Sequence, residues 1–344
     1  MTSRHSCLET NLVSFPGLEE NLDEIEKLEK FVEKSASRIN KHLVDLMLSR
    51  YRVLDHAKTI KQYLLLGQGD FFDNFLELAQ KELSKNSSEV FRHSMLQILR
   101  LALRQSTQTD LSDNLDVMIL STGAEDETGF DVFSLNYRIS SPLSVIFTQN
   151  SIQNYLSIFT FLWRLKRTEH SLTNCWTNSM CYERMNSKKN FSLVHRTHLL
   201  RNEIHHFVHV VSSYLMYEVV QFRFLQFLEH VPKSSDLDEL ISRHEEYVSQ
   251  LLNGCFLSDR GKNKEILLQL EHILEVVQNF TQLHESIFQS LLEKVDFDVE
   301  DTEEMLDEIT KQFRDYLSDF QNLADIGKGY CFEIDSRFED RLEL

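Results

Sequence analysis

Glycine and proline are scarce in this chain of 344 residues, which holds 9 glycines and 3 prolines. Together they are 12 of 344 residues, roughly 3.5%, against roughly 12% in an average protein. Folds rich in strands need many tight turns, and those turns draw on glycine and proline. The shortage therefore favours long helices joined by few turns.

Positive charge is also in short supply. The chain has 36 Lys and Arg residues and 54 Asp and Glu residues, so the formal net charge is 36 − 54 = −18. A chain this acidic repels a phosphate backbone, which argues against a nucleic-acid partner. Hydrophobic residues still make up 42% of the chain, with 24 phenylalanines among the aromatic ones, so a large core can form.

Long apolar runs and a cysteine framework are missing as well. No uncharged apolar stretch reaches the roughly 18 residues of a membrane-spanning helix, and the first residues show no signal-peptide pattern. The five cysteines are odd in number and scattered, which is typical of reduced thiols in the cytosol. We therefore expect a cytosolic chain with no membrane insertion.

Hydrophobic periodicity divides the rest of the chain into helices. Residues 1–23 are polar and aperiodic, and we expect a loose tail or a remnant of an upstream segment there. Apolar residues at steps of three and four predict helices over 23–66 (in two stretches), 71–83, 90–104, 149–176, 194–230, 237–252, 262–294 and 303–323. The predicted helix-end residues are Gly67 in a left-handed conformation, and Asp70, Ser87 or Ser88, and Asp236 as N-caps.

Strand-like residues are confined to the segment 110–147. The strings 115–120 and 130–137 predict a small hairpin around an acidic loop, and 143–147 is a candidate third strand. The predicted fold class is therefore all-α, with elongated helical bundles and one small β-hairpin insertion at about 115–147. Without a Pro/Gly/Ser linker, residues 24–344 are expected to form one continuous body.

No motif for nucleotide or nucleophile chemistry is complete. The string Gly67-Gln68-Gly69 lacks the third glycine of a dinucleotide loop, because Phe72 stands there, and a helix rather than a strand precedes it. No GxxxxGK[ST] string or Gly-x-Ser-x-Gly elbow occurs. We predict no catalytic residues, no cofactor and no enzyme activity.

A histidine stripe is the best candidate for a metal site. Its members repeat at steps of three and four, which places them on one helix face: His195, His198, Asn202, His205 and His209. The zincin motif fails because His206 stands where the general-base glutamate must be. The stripe is either a polar face beside a buried one or a transition-metal site, and we predict no bound metal.

Arg164, Lys166 and Arg167 form a basic cluster in this acidic chain. One interpretation is the solvated end of an apolar helix. The other is a contact for an acidic protein partner.

Five strings in order and in register resemble one family. They are Tyr63-Leu-Leu-Leu-Gly-Gln-Gly-Asp-Phe71, Thr128-Gly-Phe-Asp-Val-Phe-Ser-Leu-Asn-Tyr137, Phe161-Leu-Trp-Arg-Leu-Lys-Arg167, Glu203-Ile-His-His-Phe-Val-His209 and Asp236-Leu-Asp-Glu-Leu240. Over about residues 36–340 the chain resembles the second, C-terminal GRIP domain of the γ-tubulin complex components. The second and third strings are most similar to the component 3 branch of that family.

The resemblance implies a scaffold rather than a catalyst. In this family the second GRIP half holds γ-tubulin, and rings of components template microtubule growth from the minus end. The implied partners are γ-tubulin and other complex components, and the implied location is the cytoplasm and cytoskeleton, at a centrosome or spindle pole. GTP chemistry would belong to the tubulins.

The sequence departs from the family pattern in two ways. The first GRIP half, which makes lateral contacts, is essentially absent, so we expect about half of a family member and leave lateral assembly open. Phe224 stands where the family has a tryptophan in the long helix, and this exchange of large aromatics should preserve packing.

We expect γ-tubulin contacts at exposed polar or basic groups beside the rigid bundle. The candidates lie at the exit of the β segment and in the basic cluster: Arg138, Phe147, Gln149, Asn150, Arg164, Lys166 and Arg167. The resemblance maps none of them residue by residue. The alternative function is a helical interaction adaptor of another class, which a structure without the small β segment would favour.

Overall fold

The computed structural model describes residues 18–106, 111–120, 127–185, 191–258, 261–293 and 299–326. Its α-helices are α1 Leu18–Ser49, α2 Val53–Tyr63, α3 Gly69–Leu83, α4 Arg92–Gln105, the single turn α5 Gly129–Val132, α6 Gln149–Met185, α7 Phe191–Tyr214, α8 Phe222–His230, α9 Leu237–Gly254, α10 Gly261–Glu293 and α11 Val299–Ile326. A π-helical segment, Leu215–Gln221, joins α7 to α8. The predicted all-α class with one small hairpin is confirmed.

The hairpin is antiparallel and consists of β1 Leu115–Ile119 and β2 Phe133–Tyr137. Val117 pairs with Leu135 at the centre of the register. The predicted third strand is wrong, because residues Leu143–Val145 form a 3-10 turn that Pro142 initiates. Proline lacks the N–H that a strand ladder requires and fixes its own φ, which favours a turn here.

The corner between α2 and α3 was predicted in the right place but with the wrong residues. Leu66, not Gly67, takes the left-handed conformation, with φ 51°. The Gly67 amide donates to the carbonyl of Lys61 at 3.1 Å, and a Cβ on Gly67 would lie 2.8 Å from that oxygen. Gly67 is therefore needed for close backbone approach, while Asp70 lies inside the first turn of α3, whose N-cap is Gln68.

Two other predicted caps have different outcomes. Ser87 and Ser88 do not cap α4; they lie in a 3-10 turn whose N-cap, Asn86, accepts from the Ser88 amide at 3.2 Å. The prediction for Asp236 is confirmed, because its carboxylate accepts from the Glu239 amide at 2.7 Å at the start of α9. The prediction succeeded where the cap directly precedes a strong apolar period.

Helix α6 continues beyond its predicted end at Trp176, and the chain between the predicted helices 149–176 and 194–230 is helical at least as far as Met185. Beyond Leu172, the buried face of the helix carries small or polar side chains instead of large apolar ones. Leu172, Cys175 and Ser179 follow one another at helical steps and are at most 5% exposed. Ser179 packs on α10, where its hydroxyl lies 3.0 Å from Nε2 of His284.

The predicted long helix 194–230 is confirmed in extent, but its middle is π-helical. Gly254, at the end of α9, packs directly on this segment, because a Cβ there would lie 2.6 Å from a Val219 methyl carbon. Phe224 is 4% exposed and packs on Phe227 and Tyr247. None of the helices in the described ranges is long and apolar enough to cross a membrane.

An aromatic cluster around Trp163 joins the hairpin to the helices. The Trp163 ring lies 4.9 Å from Phe133 of β2 and 6.1 Å from Phe75 of α3, and its indole N–H donates to the Phe130 carbonyl at 3.0 Å. Trp163 is 1% exposed. Three elements that are distant in sequence therefore meet at one side chain.

Replacing Trp163 with alanine should lower the free energy of unfolding by about 3–5 kcal/mol, because it empties a fully packed site. The matched control is Trp176→Ala, since the Trp176 side chain is on the same helix and 49% exposed; it should cost less than about 1 kcal/mol. Urea unfolding followed by circular dichroism gives both values. Similar losses for the two variants would contradict the role of Trp163.

Candidate protein-interaction surface

Arg138 directly follows β2 and is anchored to the neighbouring strand. Its guanidinium donates to Asp116 Oδ2 at 3.0 Å and 2.5 Å, and Arg92 of α4 donates to both oxygens of the same carboxylate. Burial alone would raise the pKa of Asp116, but the hydrogen bonds from Arg138 and Arg92 outweigh it and hold that pKa below its usual value. The Arg138 side chain remains 68% exposed, so it is both fixed and accessible.

Phe147 does not lie on the surface, and the expectation that it is exposed is wrong. Its side chain is 2% exposed, and its ring lies 4.8 Å from the ring of His244 in an edge-on contact. His244 in turn lies 3.0 Å from the Tyr155 hydroxyl through Nε2. Phe147 therefore fixes the start of α6 against α9 from inside.

The first residues of α6 are exposed as predicted. Gln149 and Asn150 begin the helix, and the hydroxyl of the preceding Thr148 accepts from the Ser151 amide at 3.2 Å. Val145, in the preceding turn, is 46% exposed. We call residues 138–150 the hairpin-exit segment, because it carries four of the predicted contact residues, three of them exposed, on a well-anchored backbone.

The basic cluster has intramolecular partners, which the sequence analysis did not foresee. Arg164 lies 3.1 Å from Glu271 of α10, and its side chain is 46% exposed. Lys166 lies 2.8 Å from Asp73 of α3 and 3.3 Å from Glu169. Burial alone would lower the pKa of Lys166, but these two carboxylates outweigh it and raise that pKa.

Arg167 is the most enclosed member, with its side chain 19% exposed. It donates to Asp131 Oδ1 at 2.7 Å, and its guanidinium carbon lies 4.6 Å from the centre of the Phe130 ring. Burial works against ionisation of Asp131, yet hydrogen bonds from Thr128 and the charge of Arg167 hold the pKa of Asp131 below its usual value. Arg167 therefore fastens the turn α5 to α6.

The three cations thus connect α6 to α10, α3 and α5. This differs from both interpretations of the cluster, the solvated helix end and the free basic patch. Arg164 and its partner are 107 positions apart, so local spacing held no signal for the pair. Arg164 and Arg167 also line a groove of about 970 Å³ beside α10, where Glu275 and Glu285 give it mixed charge.

The histidine stripe lies on α7 as predicted. His195, His205 and His209 are exposed, and the His205 and His209 rings stack with centroids 6.2 Å apart. The adjacent face is buried, also as predicted, through Leu200, Ile204, Phe207, Val208, Val211 and Leu215. Within the part of the chain that the structure describes, no group of three or more His, Cys, Asp or Glu side chains is arranged to hold a metal.

Two histidines that the sequence analysis passed over are fully buried. His244 of α9 and His284 of α10 are 0% exposed. Burial lowers the pKa of His244 to about 4 and that of His284 to about 3. Both residues lie at positions of the apolar repeat of their helices, and this spacing could have indicated that they are buried. Both support the packing of α6, His244 through Tyr155 and His284 through Ser179.

Stability should fall as the pH is lowered from 7 to 5. The unfolded chain binds a proton at His244 near pH 6.5, whereas the folded chain binds it only near pH 4, so the unfolded state holds more protons in between. His244 alone should remove about 2 kcal/mol of unfolding free energy over this interval.

The check is urea unfolding of the wild type and His244→Asn at pH 7 and pH 5. The variant should show a smaller pH dependence, while His206→Gln, at an exposed position of α7, should retain the wild-type dependence. An unchanged dependence in His244→Asn would contradict the assignment.

In a comparison with known protein families, the family described as gamma tubulin complex component C-terminal matches residues 53–331 of the chain. This range contains the hairpin, the aromatic cluster and the long helix.

Several curated proteins are similar to the chain. Gamma-tubulin complex component 3 of Arabidopsis thaliana is 33% identical over 280 residues, covering 77% of this chain and 33% of the relative. Spindle pole body component alp6 of Schizosaccharomyces pombe is 35% identical over 273 residues, covering 76% and 32%. The component 3 homolog of Xenopus laevis is 30% identical over 262 residues, covering 74% and 29%. The matched part of the chain spans about a third of the length of these relatives.

Proposed function

The chain belongs to the gamma-tubulin complex component family, and from this premise we propose that it is a γ-tubulin-binding scaffold subunit that supports microtubule nucleation at minus ends. The observation that carries the proposal is the match of residues 53–331 to the C-terminal model of the family. The names of the relatives, complex component 3 and a spindle pole body component, support it. Spindle poles or centrosomes are the locations we propose on the same basis.

A stiff body suits this role. Holding γ-tubulin molecules at a fixed spacing lowers the entropic cost of assembling a first ring of tubulin. Trp163 and the ion pairs of Arg164, Lys166 and Arg167 tie α6 to the hairpin and three helices, which restricts bending at the centre of the fold. The scaffold needs no reaction of its own, because nucleotide chemistry would belong to the tubulins.

We propose that the hairpin-exit segment contacts γ-tubulin directly. Arg138, Gln149 and Asn150 are exposed there on anchored backbone, and Arg164 is a half-exposed cation further along α6. All four cations are paired within the chain, but the side chains of Lys166 and Arg167 are only 21% and 19% exposed, so these two hold neighbouring elements in place instead. A net charge of −18 leaves such local cations as the groups best suited to an acidic partner surface.

The purified chain should form a stoichiometric complex with γ-tubulin at micromolar concentration. Size-exclusion chromatography with light scattering measures the mass of the complex, and circular dichroism establishes that the chain is folded. A folded chain that elutes apart from γ-tubulin would contradict the proposal.

Charge reversal at Arg138 of the segment, or at Arg164 of the basic cluster, should weaken the complex. Arg138→Glu and Arg164→Glu should each lower affinity roughly tenfold at low salt and reduce its salt dependence, because a favourable charge pair becomes a repulsion. The matched control is Lys41→Glu, which makes the same charge change at an exposed position of α1. Equal affinity of all three variants and the wild type would remove Arg138 and Arg164 from the interface.

A further inference from the structure

A cavity of about 340 Å³ lies at the corner between α2 and α3, against α6 and the π-helical segment. Its walls are mixed. The apolar part of the lining includes the partly exposed Met216 and the buried Phe72 and Leu162, and polar groups come from Lys61, Tyr217 and Gln221, among others. Of the groups discussed above, Lys166, Glu169 and His209 also line it.

Lys61 is a half-buried cation with no carboxylate partner among the described residues. Its ammonium donates a hydrogen bond to Gln221 Oε1 and lies 5.2 Å from the centre of the Phe224 ring. Burial lowers the pKa of Lys61, and no neighbouring carboxylate offsets that effect. Lys166 is different, because Asp73 and Glu169 neutralise it.

Lys61 is the cation of the cavity that is left without an acidic partner among the described residues. The other ionisable lining groups besides Tyr217 are Lys166, Glu169, which pairs with Lys166, and His209, in a chain of net charge −18. An incoming carboxylate would give Lys61 the ion pair it lacks, in surroundings that are partly shielded from water. Charge complementarity therefore selects an acidic ligand.

The rim of the cavity extends the apolar surface. Tyr217, which lines the cavity, is 70% exposed. Phe222 and Leu225, which follow along the same helical run and do not line the cavity, are 46% and 52% exposed. Such a rim is larger than a small anion needs, and it suits a polypeptide that carries an apolar side chain next to an acid. The rim begins in the π-helical segment, a conformation that is rare and is frequently found at functional sites.

We propose that this cavity binds a short acidic–apolar peptide segment of a partner protein. An Asp or Glu carboxylate pairs with Lys61, and a neighbouring Leu, Phe or Met side chain packs on Met216 and Tyr217, the lining groups whose apolar surface remains at least partly exposed. The proposal stands apart from γ-tubulin binding, since it rests on the cavity alone and is tested without γ-tubulin.

Two variants with matched controls isolate the site. Lys61→Met removes the ammonium and keeps most of the length of the side chain, and Lys58→Met makes the same change at an exposed position of α2. Gly69→Leu fills the cavity, because Gly69 lines it and a Cβ there would have no heavy atom within 4 Å. Gly261→Leu is its control, being likewise the first residue of a helix with open space around it.

The experiment pans a random heptapeptide phage library on the immobilised wild-type chain. The most enriched peptides are then measured by fluorescence anisotropy as synthetic, labelled peptides. We expect sequences with Asp or Glu beside Leu, Phe or Met. Lys61→Met and Gly69→Leu should bind them at least tenfold more weakly, while the two control variants stay within twofold of the wild type.

Amide versions of the peptides, with Asn or Gln for the acid, should also bind at least tenfold more weakly. This comparison keeps the test decisive even if a variant fails to fold, as judged by circular dichroism. Absence of enrichment, enrichment of peptides without an acid, or equal binding to all four variants would overturn the proposal.

Discussion

The burial of Trp163 against the hairpin is the contact on which the rest of this fold depends. A two-stranded hairpin is only marginally stable alone, and here Phe133 packs it on Trp163 while the Trp163 indole holds the Phe130 carbonyl. The same ring reaches Phe75 of α3. Because these elements are fixed at one point, the hairpin-exit segment leaves the body with a defined direction, and the first turn of α6 presents its polar residues on rigid backbone.

In this acidic chain, the position of each cation decides whether it can contact a partner, and the net charge alone does not. The three cations of the basic cluster on α6, Arg164, Lys166 and Arg167, each form an ion pair with a carboxylate from another element. Exposed pairs such as Arg164–Glu271 contribute little stability individually, but the more enclosed pair of Arg167 orients the turn before β2. The cations available to partners include Arg138 and Arg164, which are paired but 68% and 46% exposed, and the half-buried Lys61, which has no carboxylate partner among the described residues.

Periodicity and punctuation in the sequence predicted most of the helices and the hairpin, because amphipathic spacing is a local property. The failures arose where tertiary contact decides. Helix α6 continues through polar residues since Ser179 packs on α10. At the α2–α3 corner, the close approach to Lys61 requires Gly67 and leaves the strained conformation to Leu66. The partners of the basic cluster and the burial of Phe147 are long-range facts that no spacing rule contains. The family resemblance supplied the function, which the residue chemistry alone did not reach.

The central proposal is that this chain, a stiff helical body, binds γ-tubulin through its hairpin-exit segment. Hydrogen exchange of the chain with and without γ-tubulin tests it most directly, because it reports on the backbone of every described element in one experiment. The account predicts slowed exchange in residues 138–150 on complex formation, with little change in the core of α10. Unchanged exchange in 138–150, with protection confined to other elements, would contradict it.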